Sequence, residues 1–472
     1  MKRIDENTVI IEKSGNMKTD SIIFINDKLE QFLEESAIKQ ISDVACLDGI
    51  RGNALAMPDI HSGYGFPIGG VAGFDTSDGI ISPGGVGYDI NCGVRFLKTD
   101  LTEDDISAEI KNIASAIFSH IPSGVGSSGS ISIKKHDFIN IMKQGAHWPV
   151  SRGMGYDEDI DNTQLTGRMA DADPSSVSER AIKRGLKQQS TLGSGNHFVE
   201  LQVVDSILDT ETAQRWGLFK GQTGIMIHTG SRGFGHQICT DTLKHINNNR
   251  YRLNIPNRQL ASVPFSSDEG RKYFSAMKCA SNYAWCNRQI IMHKIRDILS
   301  SVLSISPQML RADLLYDVSH NIALVEEHSI DGVKEELIVH RKGATRSFGP
   351  GDSRLPAHLR DTGQPVIIPG DMGRASYIMK GTRKAMDVSL GSTCHGAGRI
   401  MSRKGALRKM SASDAIGEMK SRNVYVLAAS NRTIREEMPE AYKDISDVIS
   451  TVHNAGLSSA VARLRPLAVI KG

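Results

Sequence analysis

Short apolar, β-branched runs that each end in a residue capable of chemistry constrain this 472-residue chain more than any other feature. Gly224-Ile225-Met226-Ile227 runs into His228, and Leu314-Leu315-Tyr316-Asp317-Val318 runs into Ser319-His320-Asn321. Val366-Ile367-Ile368 runs into Pro369-Gly370-Asp371-Met372-Gly373. Each predicts a buried strand followed by a tight loop. Loops carried on strand ends bring together residues that are distant in sequence. The expected fold is therefore a mixed α/β (α+β) core that gathers these loops at one site. Length alone would suggest about three domains. Motifs spread from Asp59 to Lys471 predict instead one interlocked catalytic unit over 1–472, with a helical insertion near 236–310. Spaced apolar residues predict helices over 177–187, 269–302 (one long helix or a helical pair) and 413–420. The Gly/Ser-rich stretch 121–132 reads as a mobile loop.

No run of ~18 apolar residues is present, so no membrane span is expected. The opening Met1-Lys2-Arg3-Ile4-Asp5-Glu6 has no apolar core of a secretory signal. Six cysteines form no Cys-x-x-Cys pair and no zinc-finger spacing, which predicts free thiols and a cytoplasmic setting. A net charge of +3 neither demands nor excludes nucleic acid. Two local clusters, His340 to Arg346 and Arg399 to Lys409, are basic and lie beside glycine-rich motifs, where they are expected to face phosphates.

Asp89 and Cys92, within Gly87-Tyr88-Asp89-Ile90-Asn91-Cys92-Gly93, pair a hard oxygen with a soft thiolate that can bridge two ions. That mixture suits Mn, Fe or Zn better than Ca or Mg. Alone, Cys92 would read as a small buried hydrophobe. His197 in Gly195-Asn196-His197-Phe198, His228 in His228-Thr229-Gly230-Ser231-Arg232, and His320 complete a five-ligand set, enough for two metals with open positions for phosphate. Asp59 and His61 are candidates for outer-sphere or acid-base work. No His-Glu-x-x-His is present, which sets aside the common metalloproteases.

Cys394-His395-Gly396-Ala397-Gly398-Arg399 places a histidine among residues with little bulk, so a large ligand can approach the imidazole. Histidine is largely unprotonated near neutral pH and is a usable nitrogen nucleophile. The chain lacks Gly-x4-Gly-Lys-Ser/Thr and Lys-x-Asp-Gly, so neither a P-loop nor a lysine-nucleotidylating ligase is read from it. If a nucleotidyl group is held covalently, His395 is the better nucleophile.

These motifs, in this order and over nearly the whole chain, resemble the RtcB-type RNA ligase family. The resemblance implies joining of RNA with a 2′,3′-cyclic phosphate or 3′-phosphate to RNA with a 5′-hydroxyl, using GTP and two Mn²⁺ ions. It implies a His-GMP adduct on His395, with Asp59, Arg232 and Arg399 in the catalytic set and Arg346 as a further phosphate binder. It also implies metal ligation by Asp89, Cys92 (as the bridge), His197, His228 and His320. The nucleotide contacts it implies are Asn196, Phe198, Glu200, Asn321, Pro369, Gly370, Asp371, Met372, Ser376, His395, Gly396, Ala397, Gly398, Tyr442 and Lys471. An archease-like activator is an implied partner. Which histidine serves which ion stays open at this point.

Two positions depart from the family pattern: Asp371 stands where serine is expected, and Gln189-Ser190 precedes Thr191 where a glycine is usual before the threonine. Both RNA repair and tRNA splicing remain open as the physiological role. Two other functions compete with ligation: a metal-dependent cyclic-phosphate or 3′-phosphate hydrolase, and an RNA-binding relative that no longer ligates. Neither would need His395.

Overall fold

In the computed structural model, residues 1–249 and 255–472 are described; residues 250–254, inside the stretch expected as a helical insertion, lie outside the described residues. Two large sheets dominate. The first has seven strands in the order Lys2–Asp5, Thr8–Ile11, Ser21–Phe24, Ile50–His61, Ile68–Asp75, Val333–Lys342 and Asn321–Ile330. The second runs Asp313–Ser319, Gly93–Thr102, Gln222–Thr229, Phe198–Ile207, Ser458–Lys471, Ser376–Gly381 and Pro365–Ile368, with Tyr425–Ala428 parallel to Ser458–Lys471. The mixed α/β expectation holds, and most strand pairs are antiparallel. His320 separates the edge strand Asp313–Ser319 of one sheet from the edge strand Asn321–Ile330 of the other.

Register explains why the second sheet carries chemistry at one end. Lys471 pairs with Phe198, Phe198 with His228, and His228 with Val94, forming one row across four strands. Side chains in a row share a face, and the next residues on each strand point away. On the far face Leu97, Val199, Leu201, Ile225 and Ile227 pack against Ile291, Met292 and Ile295. Those three lie on a single helix, Asp268–Leu303, so the choice between one long helix and a pair resolves to one. Its start is fixed by Ser267, whose side chain accepts the N–H of Gly270. The other two predicted helices appear as Glu179–Leu186, capped by Ser178, and Ala412–Ser421, capped by Ser411.

The long helix also buries a polar ladder beneath the site. Arg288 donates to Asp317 at 2.7 and 2.9 Å, and to the carbonyls of Asn91 at 2.8 Å and Thr229 at 2.9 Å. Arg95 shares Asp317 at 2.8 Å and reaches Gln289, and Arg296 holds Asp159 at 2.6 and 2.7 Å. Arg288 thus ties the loop before Cys92 to the strand end after His228. The segment His340 to Arg346 corrects an expectation. Arg341 is buried against Glu326 at 2.8–2.9 Å, Lys342 donates to the carbonyls of Tyr64 and Phe66, and Arg346 donates to Gln364 at 2.9 Å. These cations lie inside the first sheet and the small pairing of Ala344–Arg346 with Ser392–Cys394, so they do not face a phosphate path.

Candidate active site and metal centre

Both sheets end at one cavity of about 250 Å³. Of the expected ligand and nucleotide residues, Asp89, Cys92, His228, His320, Asn196, Phe198, Glu200, Asn321, Pro369, Gly370, Asp371, Met372, His395, Gly396, Ala397, Gly398, Arg399, Tyr442 and Lys471 line it. His197, Asp59, Arg232 and Ser376 stand immediately behind the wall. Ser376 accepts the N–H of Gly370 at 3.3 Å and an N–H of Gln202 at 3.1 Å. Arg232 lies behind His197, its guanidinium 3.1 Å from the ring Nδ1.

The five expected donors resolve into two groups of three that share Cys92: Asp89, Cys92 and His197, and Cys92, His228 and His320. Cys92 Sγ lies 3.4 Å from His197 Nε2 and 3.3 Å from His228 Nε2. His228 Nε2 is 3.2 Å from His320 Nε2, and His197 Nε2 is 2.9 Å from Asp89. Nδ1 of His197 lies 3.1 Å from the Leu192 carbonyl and 3.1 Å from the Arg232 guanidinium, contacts that orient the ring so that Nε2 faces Asp89 and Cys92. Burial lowers the basicity of all three imidazoles, that of His228 and His320 far below the ordinary value. Burial, and then the charge of Asp89, push the Cys92 thiol well above its usual range. Burial works against ionised Asp89, yet the hydrogen bond and charge of His197, with Arg232, keep it well below the carboxylate range. Neutral imidazoles, a carboxylate and a thiol that ionises when a cation compensates it are a mixed hard and soft donor set that fits two divalent transition-metal ions. The Asp89 carboxylate reaches its place because residue 230 is glycine: a Cβ there would meet its oxygens at 2.5–2.6 Å.

His395 is held by Asp59. The Asp59 carboxylate is fully buried and accepts from His395 Nδ1 at 2.6 Å, from the His395 backbone N–H at 3.0 Å and from the Gly396 N–H at 3.3 Å. Burial alone would raise its pKa, but the neighbouring His395 and Lys443 outweigh that and hold it ionised. With Nδ1–H engaged, Nε2 carries the free lone pair. The ring sits 4.8 Å from that of His320, so His395 and the candidate metal donors share the cavity. Gly398, at φ +74°, lets the loop pass over Asp59, where a Cβ would come within 2.3 Å of its carbonyl oxygen. His61 Nδ1 lies 2.9 Å from the Asp59 carbonyl, and burial lowers its pKa to about 4.

On the opposite wall, burial pushes Glu200 up to about 7, against the pull of Lys471 and Gln202. Gln202 donates to it at 2.7 Å. Asp371, in the lining, pairs with Arg374 at 2.7 Å and accepts the N–H groups of Gly373 and Arg374 at 3.0 Å.

Two further residues of the site carry no mark in the sequence, Glu437 and Lys443. Glu437 is a buried carboxylate that gathers Arg399 at 3.3 Å, Arg403 at 3.4 Å, Lys471 at 3.9 Å and the Tyr442 hydroxyl. Lys443 donates to the carbonyls of Pro58 and Ile60 at 2.9 and 2.7 Å and so clamps the strand end that carries Asp59. Arg435-Glu436-Glu437 reads as a solvated charged run, and nothing in its spacing marks the third residue as buried.

The family described as tRNA-splicing ligase RtcB matches residues 40–472. A tRNA-splicing ligase RtcB of Methanococcus maripaludis is 50% identical over 460 residues, covering 97% of this chain and 95% of that protein. Those of Archaeoglobus fulgidus and Thermococcus kodakarensis are 48% and 46% identical, each covering 100% of this chain and 99% of the relative.

Proposed function

The chain belongs to the tRNA-splicing ligase RtcB family, and on that premise we propose that it is an RNA ligase. In this reading it joins a 2′,3′-cyclic-phosphate or 3′-phosphate RNA end to a 5′-hydroxyl end, through a guanylylated His395, using GTP and two Mn²⁺ ions. The chain works as one catalytic unit, in a cytoplasmic setting and with an archease-like activator. The observation that carries the reading is the Asp59–His395 contact at 2.6 Å beside the two donor groups. A hydrolase would need the metals but not a histidine oriented for attack.

Asp89, Cys92 and His197 would hold one ion, and Cys92, His228 and His320 the other; when bound, such ions offset phosphate charge and polarise the phosphoryl oxygens. His395 Nε2 forms a bond to the α-phosphorus of GTP as the bond to the departing pyrophosphate breaks. Asp59 accepts the Nδ1–H throughout and stabilises the charge that develops on the ring. Glu200 accepts from guanine N1–H and N2–H₂, groups that adenine does not offer, and Phe198 and Lys471 border the same wall. The GMP then passes from His395 to an RNA 3′-phosphate oxygen, and the 5′-hydroxyl oxygen displaces GMP to form the phosphodiester. A cyclic phosphate is opened by water first.

Incubation with α-labelled GTP and Mn²⁺ tests this. The wild-type chain is expected to take up one acid-labile GMP, and His395→Ala none while keeping its metal. Label on the alanine variant would sink the assignment. Cyclic-phosphate turnover without any label would support the hydrolase.

A further inference from the structure

Aromatic and cationic side chains lead away from the metal donors, and the reaction described above does not use them. Tyr88 adjoins Asp89, and its ring stacks on His236 with centroids 4.8 Å and planes 29° apart. Tyr64 meets Tyr88 edge-on at 5.4 Å. His236 lies one turn beyond Arg232 on the helix Arg232–Asn249 and is exposed, whereas the two tyrosines are half-buried.

The helix Glu179–Leu186 packs alongside. Arg184 donates to Gln237 at 3.1 Å, and the Gly233 N–H donates to Gln188 at 2.8 Å. This helix buries Ala181, Ile182 and Gly185 and turns Arg180, Lys183, Arg184 and the following Lys187 to solvent. Its one carboxylate, Glu179, is engaged by Lys135 at 2.8 Å. Among the described residues, none of the four exposed cations forms an ion pair. They edge an open depression whose other side is Gly126 and Ser128 of the Gly/Ser-rich loop. Unpaired cations at i, i+3, i+4 and i+7 repel one another and are favoured where an extended anion lies across them. Rings beside a cationic track are the two parts of single-strand recognition: stacking for bases, charge for the backbone. A folded acidic protein would meet the charge but would have no use for a ring stack adjoining a metal donor.

We propose that the Tyr64–Tyr88–His236 stack and the Arg180-to-Lys187 stripe form the track for a single RNA strand entering the metal-donor cavity. A base lies on His236, and phosphates lie along the helix. The proposal rests on the RNA-ligase reading and extends it to where the strand runs.

The test uses the full chain, His236→Ala, His236→Phe, and the triple variant Arg180→Gln/Lys183→Gln/Lys187→Gln, whose side chains are exposed. Substrate is an RNA with 2-aminopurine beside the joined end. Guanylylation without RNA is expected to be unchanged in all. His236→Ala is expected to raise KM for RNA about tenfold and to lose the quenching of 2-aminopurine, and His236→Phe to restore both. The triple variant is expected to raise KM similarly and to flatten the salt dependence by about 0.7 for each phosphate no longer neutralised. If the wild type takes GMP and joins RNA while the variants keep its KM, salt slope and quenching, the track falls and the ligase reading stands. If the wild type takes no GMP yet quenching still depends on His236, the ligase reading falls and the track stands.

Discussion

Asp59 engages one nitrogen of His395 and leaves the other free: the carboxylate accepts the Nδ1–H hydrogen bond, and Nε2 keeps its lone pair for the attack on phosphorus that we propose. All three N–H groups meet one oxygen, Oδ2, so Asp59→Asn keeps the shape and an acceptor but removes the negative charge that stabilises a positive charge on the ring. Guanylylation is expected to slow by about 10²–10⁴-fold with metal content retained, read from single-turnover labelling and its pH profile. An unchanged rate would show that the ring does not need that charge. Cys92→Ser is expected to cost both ions, since its sulfur is common to both donor groups and a serine hydroxyl keeps its proton. Metal analysis showing full occupancy with normal activity would remove the bridge. Glu200 gives a pH signature in the nucleotide-free protein. Its folded pKa, raised to about 7 by burial, exceeds the unfolded carboxylate value, so the protonated form favours the fold. That stability is fully present below the unfolded value, near pH ~4.3, and is lost as pH rises through about 7. Glu200→Gln removes the loss, so its stability advantage over wild type is expected to open across this window, to about 4 kcal/mol above about pH 8. Parallel denaturation midpoints across that pH range would sink the idea.

Strands and helices were the most legible level of the sequence, because an apolar run has one reading when a loop motif follows it. The strand Gln222–Thr229 is buried at every position, and its sequence said so. What hid from the sequence was the partner of each charge. Arg288 sits mid-helix, four residues before Met292, and only the fold shows it reaching Asp317 and two carbonyls. His340 to Arg346 failed for the same reason: Glu326, fifteen residues upstream of Arg341, neutralises it inside the sheet. Arg288→Met is expected to destabilise by about 3–5 kcal/mol, the range for breaking a buried, hydrogen-bonded pair. It should also lower metal content, because the Asn91 and Thr229 carbonyls flank two donors. Urea unfolding with metal analysis checks both. The departure at Ser190 has a backbone side to it: its φ is +62°, a region that favours glycine. Ser190→Gly is expected to stabilise by about 0.5 kcal/mol, the left-handed strain relieved less the added freedom of the unfolded chain. A lower melting temperature would show that the serine hydroxyl matters more than the strain.

At the scale of the molecule, the donors divide between the sheets' meeting ends. Cys92, His197 and His228 belong to the second sheet's strand ends, while His320 is the residue through which the chain passes into the first. This junction could not be seen in the sequence, because the donor motifs are about 30 to 100 residues apart and their convergence depends on register. The donor types could be, since Asp-x-x-Cys and three histidines at predicted strand ends suit one another chemically. Ions held by these donors would clamp the two sheets together. A cation that binds only the folded chain stabilises it by mass action, by about 2.7 kcal/mol at a hundredfold excess over Kd. Mn²⁺ is therefore expected to raise the melting temperature of the wild type and to slow amide exchange together at 91–95 in the second sheet and 321–325 in the first. His320→Ala should uncouple them, leaving the Asp89, Cys92 and His197 group to protect 91–95 while 321–325 exchanges as in the metal-free protein. Equal protection of both segments in that variant would mean that the backbone hydrogen bonds across the junction, such as Asn91 N–H to the Asn321 carbonyl at 2.7 Å, couple the sheets without an ion on the second donor group.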